Sequence, residues 1–112
     1  MKLPNAERAI VTREKVAEYV LNQAHPENGG KAAFFRMMGF SSGDWEALAE
    51  ALREILANGT VLKSIESVHG RKFIVDSEMA TPSGRRPRVR TVWIIDAGFQ
   101  DPRLVTAYPA EG

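Results

Sequence analysis

Residues 88–109 read RVRTVWIIDAGFQDPRLVTAYP. The first nine are apolar on both faces after Arg90, a pattern typical of a strand inside a sheet. AGFQDP (97–102) brings together Gly, Asp and Pro, which favour a turn, and RLVTAY (103–108) predicts a further strand that ends at Pro109. This stretch therefore predicts two antiparallel strands and indicates that the second half of the chain is a sheet.

The residues before this stretch extend the same pattern. TVLKSIESVH (60–69) and KFIVDSEMA (72–80) alternate with a period of two around His69, Gly70 and Arg71, which predicts a hairpin. TPSGRRP (81–87) is too rich in Pro and Gly for regular strand and is expected to connect to the next strand. The second half is thus expected to be a four-stranded antiparallel meander over about 60–109.

The first half of the chain predicts helices. SSGDWEALAEALREILANG (41–59) carries Trp45, Leu48, Leu52 and Ile55 at helical spacing, which is typical of a helix face buried in a core. A helix over 13–21 is expected to begin at a Thr12 cap, and a helix over 31–38 is expected to stop at Gly39. The fold class predicted is α+β: three N-terminal helices, within about 1–58, packed on the sheet.

Composition limits the classes of protein. The chain has 112 residues, 44% hydrophobic and 26% charged, which predicts one domain over 1–112 with a single core. It has no cysteine, which excludes disulfides, thiolate metal sites and a cysteine nucleophile. The N-terminus does not resemble a signal peptide and no long apolar run is present. A cytoplasmic protein, or a domain cut from a larger one, is therefore expected, without membrane contact.

No metal or cofactor is expected either. The two histidines, His25 and His69, lie far apart, and neither is accompanied by a second ligand at metal-binding spacing. The NGGK stretch (28–31) is too short to be a Walker loop.

A local basic patch stands out in a chain whose net charge is only +1. Arg85, Arg86, Arg88 and Arg90 fall within ten residues that contain no acid. Such a patch fits a phosphate-bearing ligand or an acidic protein partner. The alternative is a solvated hairpin tip, because charge runs are commonly surface, and the sequence leaves both interpretations open.

The residues that remain as candidates suit RNA cleavage without a metal. In that reaction the ribose 2′-hydroxyl attacks the phosphate, a histidine transfers protons, and fixed cations stabilise the phosphorane. The candidate catalytic residues are His25, Lys31, Arg90, Thr106 and Tyr108. The candidate RNA- or phosphate-binding residues are Arg36, Arg85, Arg86, Arg88 and Thr91.

Each candidate also has an ordinary structural explanation. His25 precedes Pro26 in a turn-rich stretch and is equally explained as a loop residue, and Lys31 as part of the polar face of its helix. Thr106 and Tyr108 lie two apart, which predicts that both share a face with Leu104. Tyr108 would then close the edge of the core with its hydroxyl in water.

The segments LPNAERA, HP…GGKAAFF…GF and VRTVWII…PRLVTAYP resemble those of a family of small bacterial domains of unassigned function. This resemblance covers nearly the whole chain.

A more distant resemblance concerns VRTVWIID and LVTAYP, which are similar to the last strands of toxin RNases of the barnase, EndoU, colicin D and RelE superfamily. This resemblance implies a helical part followed by a four-stranded sheet, metal-independent RNA cleavage on the sheet face, and roles for Arg90, Thr91, Thr106 and Tyr108. It also implies RNA as substrate and a small cognate antitoxin as partner. The barnase glutamate and the EndoU histidine pair have no clear counterparts here.

Three hypotheses follow. The first is an endoribonuclease of bacterial toxin type. The second is a non-catalytic module that binds an acidic protein or nucleic acid through the Arg-rich hairpin. The third is an inactive member of the family that only assembles with a neighbouring protein. The sequence leaves open whether the chain is a monomer or a homodimer.

Overall fold

The computed structural model describes residues 3–22, 24 and 29–110. The helices are α1 (Arg13–Lys15, continued by a π-helical turn, Val16–Val20), α2 (Gly29–Met37) and α3 (Trp45–Asn58). The strands are β1 (Thr60–Ser67), β2 (Gly70–Glu78), β3 (Arg88–Asp96) and β4 (Arg103–Pro109), in the spatial order β1-β2-β3-β4. The α+β class and the antiparallel meander predicted from the sequence are therefore confirmed.

The starts and stops of the helices follow local chemistry. Thr12 caps α1 as predicted, because its Oγ1 accepts a hydrogen bond from the backbone N–H of Lys15 at 3.2 Å. α2 ends where expected, since Gly39 has φ 102°, a conformation open to glycine at little cost. Among the described residues, no helix is both long and apolar enough to cross a lipid bilayer.

The core lies between the helices and one face of the sheet. The predicted stripe on α3 is buried at Leu48, Leu52, Ile55 and Leu56, which belong to one apolar cluster with Trp93 of β3. Trp93 is fully buried, and at about 25 cal/mol per Å² of apolar surface such side chains contribute most of the hydrophobic stabilisation.

The first hairpin turns one residue earlier than predicted. Ser67 pairs with Gly70, so Val68 and His69 form a two-residue turn and Gly70 already belongs to β2. Gly70 has φ 141°, and a Cβ there would lie 2.3 Å from the carbonyl oxygen of Ile95. The sequence pattern placed Gly70 in the turn because glycine is common there, whereas the structure uses it for a close approach of two strands.

A β-bulge in β4 corrects the predicted face of Leu104. The register places Thr106 opposite Val92 but Leu104 opposite Trp93, so one extra residue, Val105, lies between them. Because Val92 and Trp93 point to opposite faces, Leu104 enters the core while Thr106 and Tyr108 point away from it. The expectation that these three side chains share a face is wrong.

Candidate functional site on the outer sheet face

We call the sheet face turned away from the core the outer face. One row of cross-strand partners runs across it: Thr60 of β1 is opposite Asp76 of β2, Asp76 is opposite Arg90 of β3, and Arg90 is opposite Tyr108 of β4. Directly opposite residues share a face, with Cβ atoms about 5 Å apart. The meander thus places a carboxylate, a guanidinium and a phenol side by side.

Asp76 and Arg90 form a bidentate ion pair within this row. Arg90 Nε donates to Asp76 Oδ1 at 2.8 Å and Nη2 donates to Oδ2 at 2.9 Å. The side chain of Asp76 is 5% exposed, whereas that of Arg90 is 34% exposed. The pair therefore fixes the plane of the guanidinium while leaving part of it open to solvent.

The same contacts keep Arg90 charged. Its hydrogen bonds to Asp76, then the Coulomb attraction of that carboxylate, raise the pKa of the Arg90 guanidinium above its usual value, and Tyr108 contributes in the same direction. Arg90 is thus a permanent, oriented cation on the outer face.

Lys31 joins the row at the edge of the sheet. α2 contacts β4, the last strand, and the Nζ of Lys31 lies 5.0 Å from the centre of the Tyr108 ring. A lysine at this distance from a phenol ring makes a cation–π contact. Two cations, Lys31 and Arg90, thereby flank the hydroxyl-bearing ring of Tyr108.

Thr106 completes what we call the outer-face cluster: Lys31, Arg90, Thr106 and Tyr108. It lies two positions before Tyr108 on the same face of β4, about 7 Å along the strand. Its Oγ1 is buried and has no hydrogen-bond partner among the described residues. An unsatisfied buried hydroxyl is uncommon, which makes it a candidate donor to a bound anion or water.

A cleft adjoins the cluster on the side of β1 and β2. It has a volume of about 400 Å³, and its walls include Thr60, Asp76, Glu78, Arg86 and Arg88. Arg88 is opposite Glu78, and Arg86 Nε lies 3.5 Å from Glu78 Oε1. The cleft therefore continues the row of charged side chains beyond Arg90.

The Arg-rich connection between β2 and β3 is held in place by its own hydroxyls. Thr81 Oγ1 bonds the carbonyl oxygen of Arg85 at 2.7 Å, and the backbone N–H of Arg85 donates to Ser83 Oγ at 3.3 Å. The N–H of Ser83 also donates to the carbonyl of Met38, at the end of α2, at 3.1 Å. Arg85 and Arg86 thus project from an anchored loop that borders the cleft.

Two of the predicted phosphate-binding residues lie elsewhere. Thr91 is fully buried on the core side, where its Oγ1 donates to the carbonyl of Val75 at 2.8 Å and accepts from Trp93 Nε1 at 2.7 Å. Arg36 Nε donates to the carbonyl of Leu21 at 2.8 Å and its Nη2 to Ser42 Oγ at 3.1 Å. Thr91 thus supports the core and Arg36 joins helical segments, so neither belongs to the outer-face cluster.

The fifth candidate catalytic residue, His25, lies outside the described residues, so its role stays a prediction. Among the residues that the structure describes, no three His, Asp or Glu side chains group as a metal ion would require.

Asp76 is the functional candidate that the sequence pattern did not single out. In KFIVDSEMA (72–80), strand alternation puts Asp76 on the same polar face as Lys72 and Glu78, where a carboxylate needs no special explanation. The register of the hairpin could have identified it. If the β2–β3 connection is centred on Ser83, Asp76 must be opposite Arg90. Counting outward from that loop identifies the pair.

The fold and site define a class: an α+β protein with helices on one face of an antiparallel meander and a cationic, hydroxyl-bearing cluster on the other. The chain belongs to the family described as Domain of unknown function (DUF6883), whose model matches residues 2–111.

A solved structure with the same fold is a contact-dependent growth inhibition toxin–immunity protein complex from Klebsiella pneumoniae 342. One of its chains aligns with a TM-score of 0.75, covering 96% of this chain and 98% of that chain at 18% sequence identity. This likeness shows a shared fold over nearly the full length of both chains. No curated protein matches the sequence.

Proposed function

We propose that this chain is a metal-independent endoribonuclease of the bacterial toxin type. The observation that carries the proposal is the outer-face cluster, in which Arg90 is the cross-strand partner of Tyr108 and the Nζ of Lys31 lies 5.0 Å from the centre of the Tyr108 ring. Oriented cations beside a hydroxyl donor suit the stabilisation of a phosphorane, whose charge develops in the transition state.

The reaction would be an internal transesterification. The ribose 2′-oxygen attacks the adjacent phosphorus, the bond to the 5′-oxygen of the next nucleotide breaks, and a 2′,3′-cyclic phosphate forms. The 2′-hydroxyl proton passes to a base and the leaving oxygen takes up a proton from an acid. Arg90 and Lys31 neutralise the phosphorane oxygens, and Tyr108 donates a hydrogen bond or the leaving-group proton.

His25 is proposed as the second proton-transfer group, because histidine titrates near neutral pH. It stands four positions before α2 in the sequence, so it precedes the helix that supplies Lys31.

The comparisons support the coarser part of this proposal, a role in a toxin–immunity pair. A shared fold with a chain of a toxin–immunity protein complex agrees with a toxin or an immunity protein, and the proposed RNA chemistry favours the toxin. We therefore also propose RNA in the cytoplasm as the target and a small cognate antitoxin as the protein partner. The sequence resemblance to the barnase, EndoU, colicin D and RelE superfamily points the same way.

The test is RNA cleavage in excess EDTA. The purified chain is expected to cut RNA to products with 2′,3′-cyclic phosphate ends, at a rate that EDTA leaves unchanged because no step uses a metal. A phosphatase-resistant 3′ end that acid converts to a monophosphate identifies the product. Intact tRNA, mRNA and rRNA after incubation with folded protein would refute the enzymatic proposal.

A second candidate function is a non-catalytic module that binds a polyanion or an acidic protein through Arg85, Arg86 and Arg88. The anchored loop favours it, because arginines on an ordered loop lose less entropy on binding.

Neutralising these three arginines is expected to reduce the salt dependence of RNA binding, by about one unit of slope for each RNA phosphate that the variant no longer neutralises. The measurement is a titration with fluorescent RNA at several salt concentrations. If the triple glutamine variant retains RNA binding with an unchanged salt slope, the loop does not bind the RNA backbone. If the variant binds RNA more weakly but still cleaves it at saturating RNA concentrations, the loop binds the substrate and takes no part in the chemical step.

A further inference from the structure

β1 is one of the two edge strands of the sheet, and most of its residues are exposed. Every residue of β1 except Val61 is exposed, and no other strand among the described residues pairs with its outer edge. Three apolar side chains lie exposed along it and the adjoining turn: Leu62 (53%), Ile65 (42%) and Val68 (88%). A free edge of this length offers unpaired backbone N–H and C=O groups to another strand.

The sequence of β1 is complementary to itself in one antiparallel register. With Ile65 opposite Ile65 of a second copy, Lys63 faces Ser67 and Ser64 faces Glu66, while Leu62 comes beside Val68. The two Ile65 side chains meet once, on the twofold axis, while the Leu62–Val68 and Ser64–Glu66 pairs each occur twice by symmetry. The regular part of β1, after the bulge between Val61 and Lys63, is centred on Ile65.

The neighbouring registers are unfavourable. A register centred on Lys63 places two lysines opposite each other, and one centred on Glu66 does the same with two glutamates. A register centred on Ser64 sets Leu62 against Glu66. Registers in which a residue faces its sequence neighbour in the second copy, such as Ser64 opposite Ile65, are excluded. The two opposed side chains would then lie on different faces of the sheet.

We propose that two copies of this chain associate through β1 in the Ile65-centred register and form a continuous eight-stranded antiparallel sheet. The twofold axis is then perpendicular to the sheet, so the outer faces of both copies lie on the same side. Both outer-face clusters would be presented together, while neither is buried by the association. This inference does not depend on the proposed RNase activity.

The dimer is expected to be weak. A single pair of strands buries less than the roughly 1,200 Å² that separates transient from standard interfaces. In sedimentation velocity from about 10 μM to 1 mM, the range of weak association, the average mass is expected to rise from that of one 12.4 kDa chain towards twice that value. A monomeric mass throughout this range overturns the proposal.

Single cysteines test the register, because the chain has none of its own. Ile65→Cys brings two thiols opposite each other, about 5 Å between Cα atoms, within disulfide reach. Lys63→Cys separates them by about 14 Å along the strand. Met37→Cys, on α2 and 67% exposed, measures random collision. At least tenfold faster disulfide formation at Ile65→Cys than at both controls is expected, and equal rates overturn the register.

A charge pair provides an independent test without oxidation. Ser64→Lys sets a cation opposite Glu66 of the second copy, whereas Ser64→Glu sets two carboxylates opposite each other. The dissociation constant is expected to be several-fold lower for Ser64→Lys than for Ser64→Glu. Equal dimerisation of the two variants, or the reverse order, contradicts the Ile65-centred register.

Discussion

Tyr108→Phe is expected to lower the rate of RNA cleavage by about 100-fold or more, the usual loss when one transition-state donor or proton-transfer group is removed. The substitution deletes one hydroxyl from a partly exposed ring and leaves the cation–π contact with Lys31 in place. The free energy of unfolding should therefore change by less than about 0.5 kcal/mol. Initial rates on a defined RNA in EDTA, with urea unfolding alongside, measure both quantities.

The other tyrosine of the chain provides a matched control. Tyr19 also lies beneath a lysine, with the Nζ of Lys15 4.7 Å from its ring centre, but it packs against the core outside the cluster. Tyr19→Phe and Lys15→Met are expected to retain the unmodified rate, whereas Lys31→Met should lose cleavage as Tyr108→Phe does. Equal rates for the two phenylalanine variants would remove Tyr108 from the site.

The helical half of the fold could be predicted from the sequence, because caps, stops and apolar stripes depend on residues close together in the chain. Thr12 caps its helix, Gly39 stops the next, and the apolar stripe of α3 requires only a period near 3.6. Four strands in meander order followed from the alternation and the turn residues. These features depend on neighbours within a few positions, so one sequence is enough to predict them.

The candidate site was harder to predict from the sequence, because its composition depends on the register of the strands. Thr106 and Tyr108 reach the outer face through the bulge at Val105, and a strict period of two assigns them to the face of Leu104 instead. Thr91 shows the same limitation, since a threonine next to Arg90 suggested phosphate binding but is turned into the core by strand alternation. The partnership of Asp76 with Arg90 likewise requires the hairpin register.

The bulge also explains how one strand contributes side chains to both the core and the candidate site. Leu104 and Ala107 are buried although three positions separate them, which regular alternation does not allow. The extra residue restores apolar packing on the core face and releases Thr106 and Tyr108 to the outer face. Bulges commonly reorient side chains next to active sites in this way, so the geometry agrees with a functional role for the two hydroxyls.

Arg90→Met is expected to lower the free energy of unfolding more than Asp76→Asn does. Removing the arginine leaves the carboxylate of Asp76, 5% exposed, buried without its counterion, which lowers the free energy of unfolding. This cost is at or below that of breaking a fully buried pair, because the arginine is already partly solvated. Removing the acid leaves Arg90, 34% exposed, able to turn towards water, so the stability falls much less.

Arg103 and Asp96 form the matched control for this asymmetry. Their hydrogen bonds, 2.7 and 3.0 Å, repeat the geometry of the Arg90–Asp76 pair, but their side chains are 47% and 31% exposed. Arg103→Met should therefore cost less than about 1 kcal/mol. The hydrogen bonds from Arg103 lower the pKa of Asp96, so this contribution is present at neutral pH and is lost as the pH falls through that lowered pKa.

Urea unfolding of the single variants and of Arg90→Met/Asp76→Asn completes the test. The double variant carries no buried charge at this position, so it should be more stable than Arg90→Met alone. A cost for Asp76→Asn equal to or above that for Arg90→Met would show that the carboxylate, and not the guanidinium, is the group that reaches solvent. In that case Arg90 could not present a free edge to a phosphate. Solvent access of the guanidinium is needed for phosphate binding, and the same solvent access is the reason that Asp76→Asn is expected to cost little.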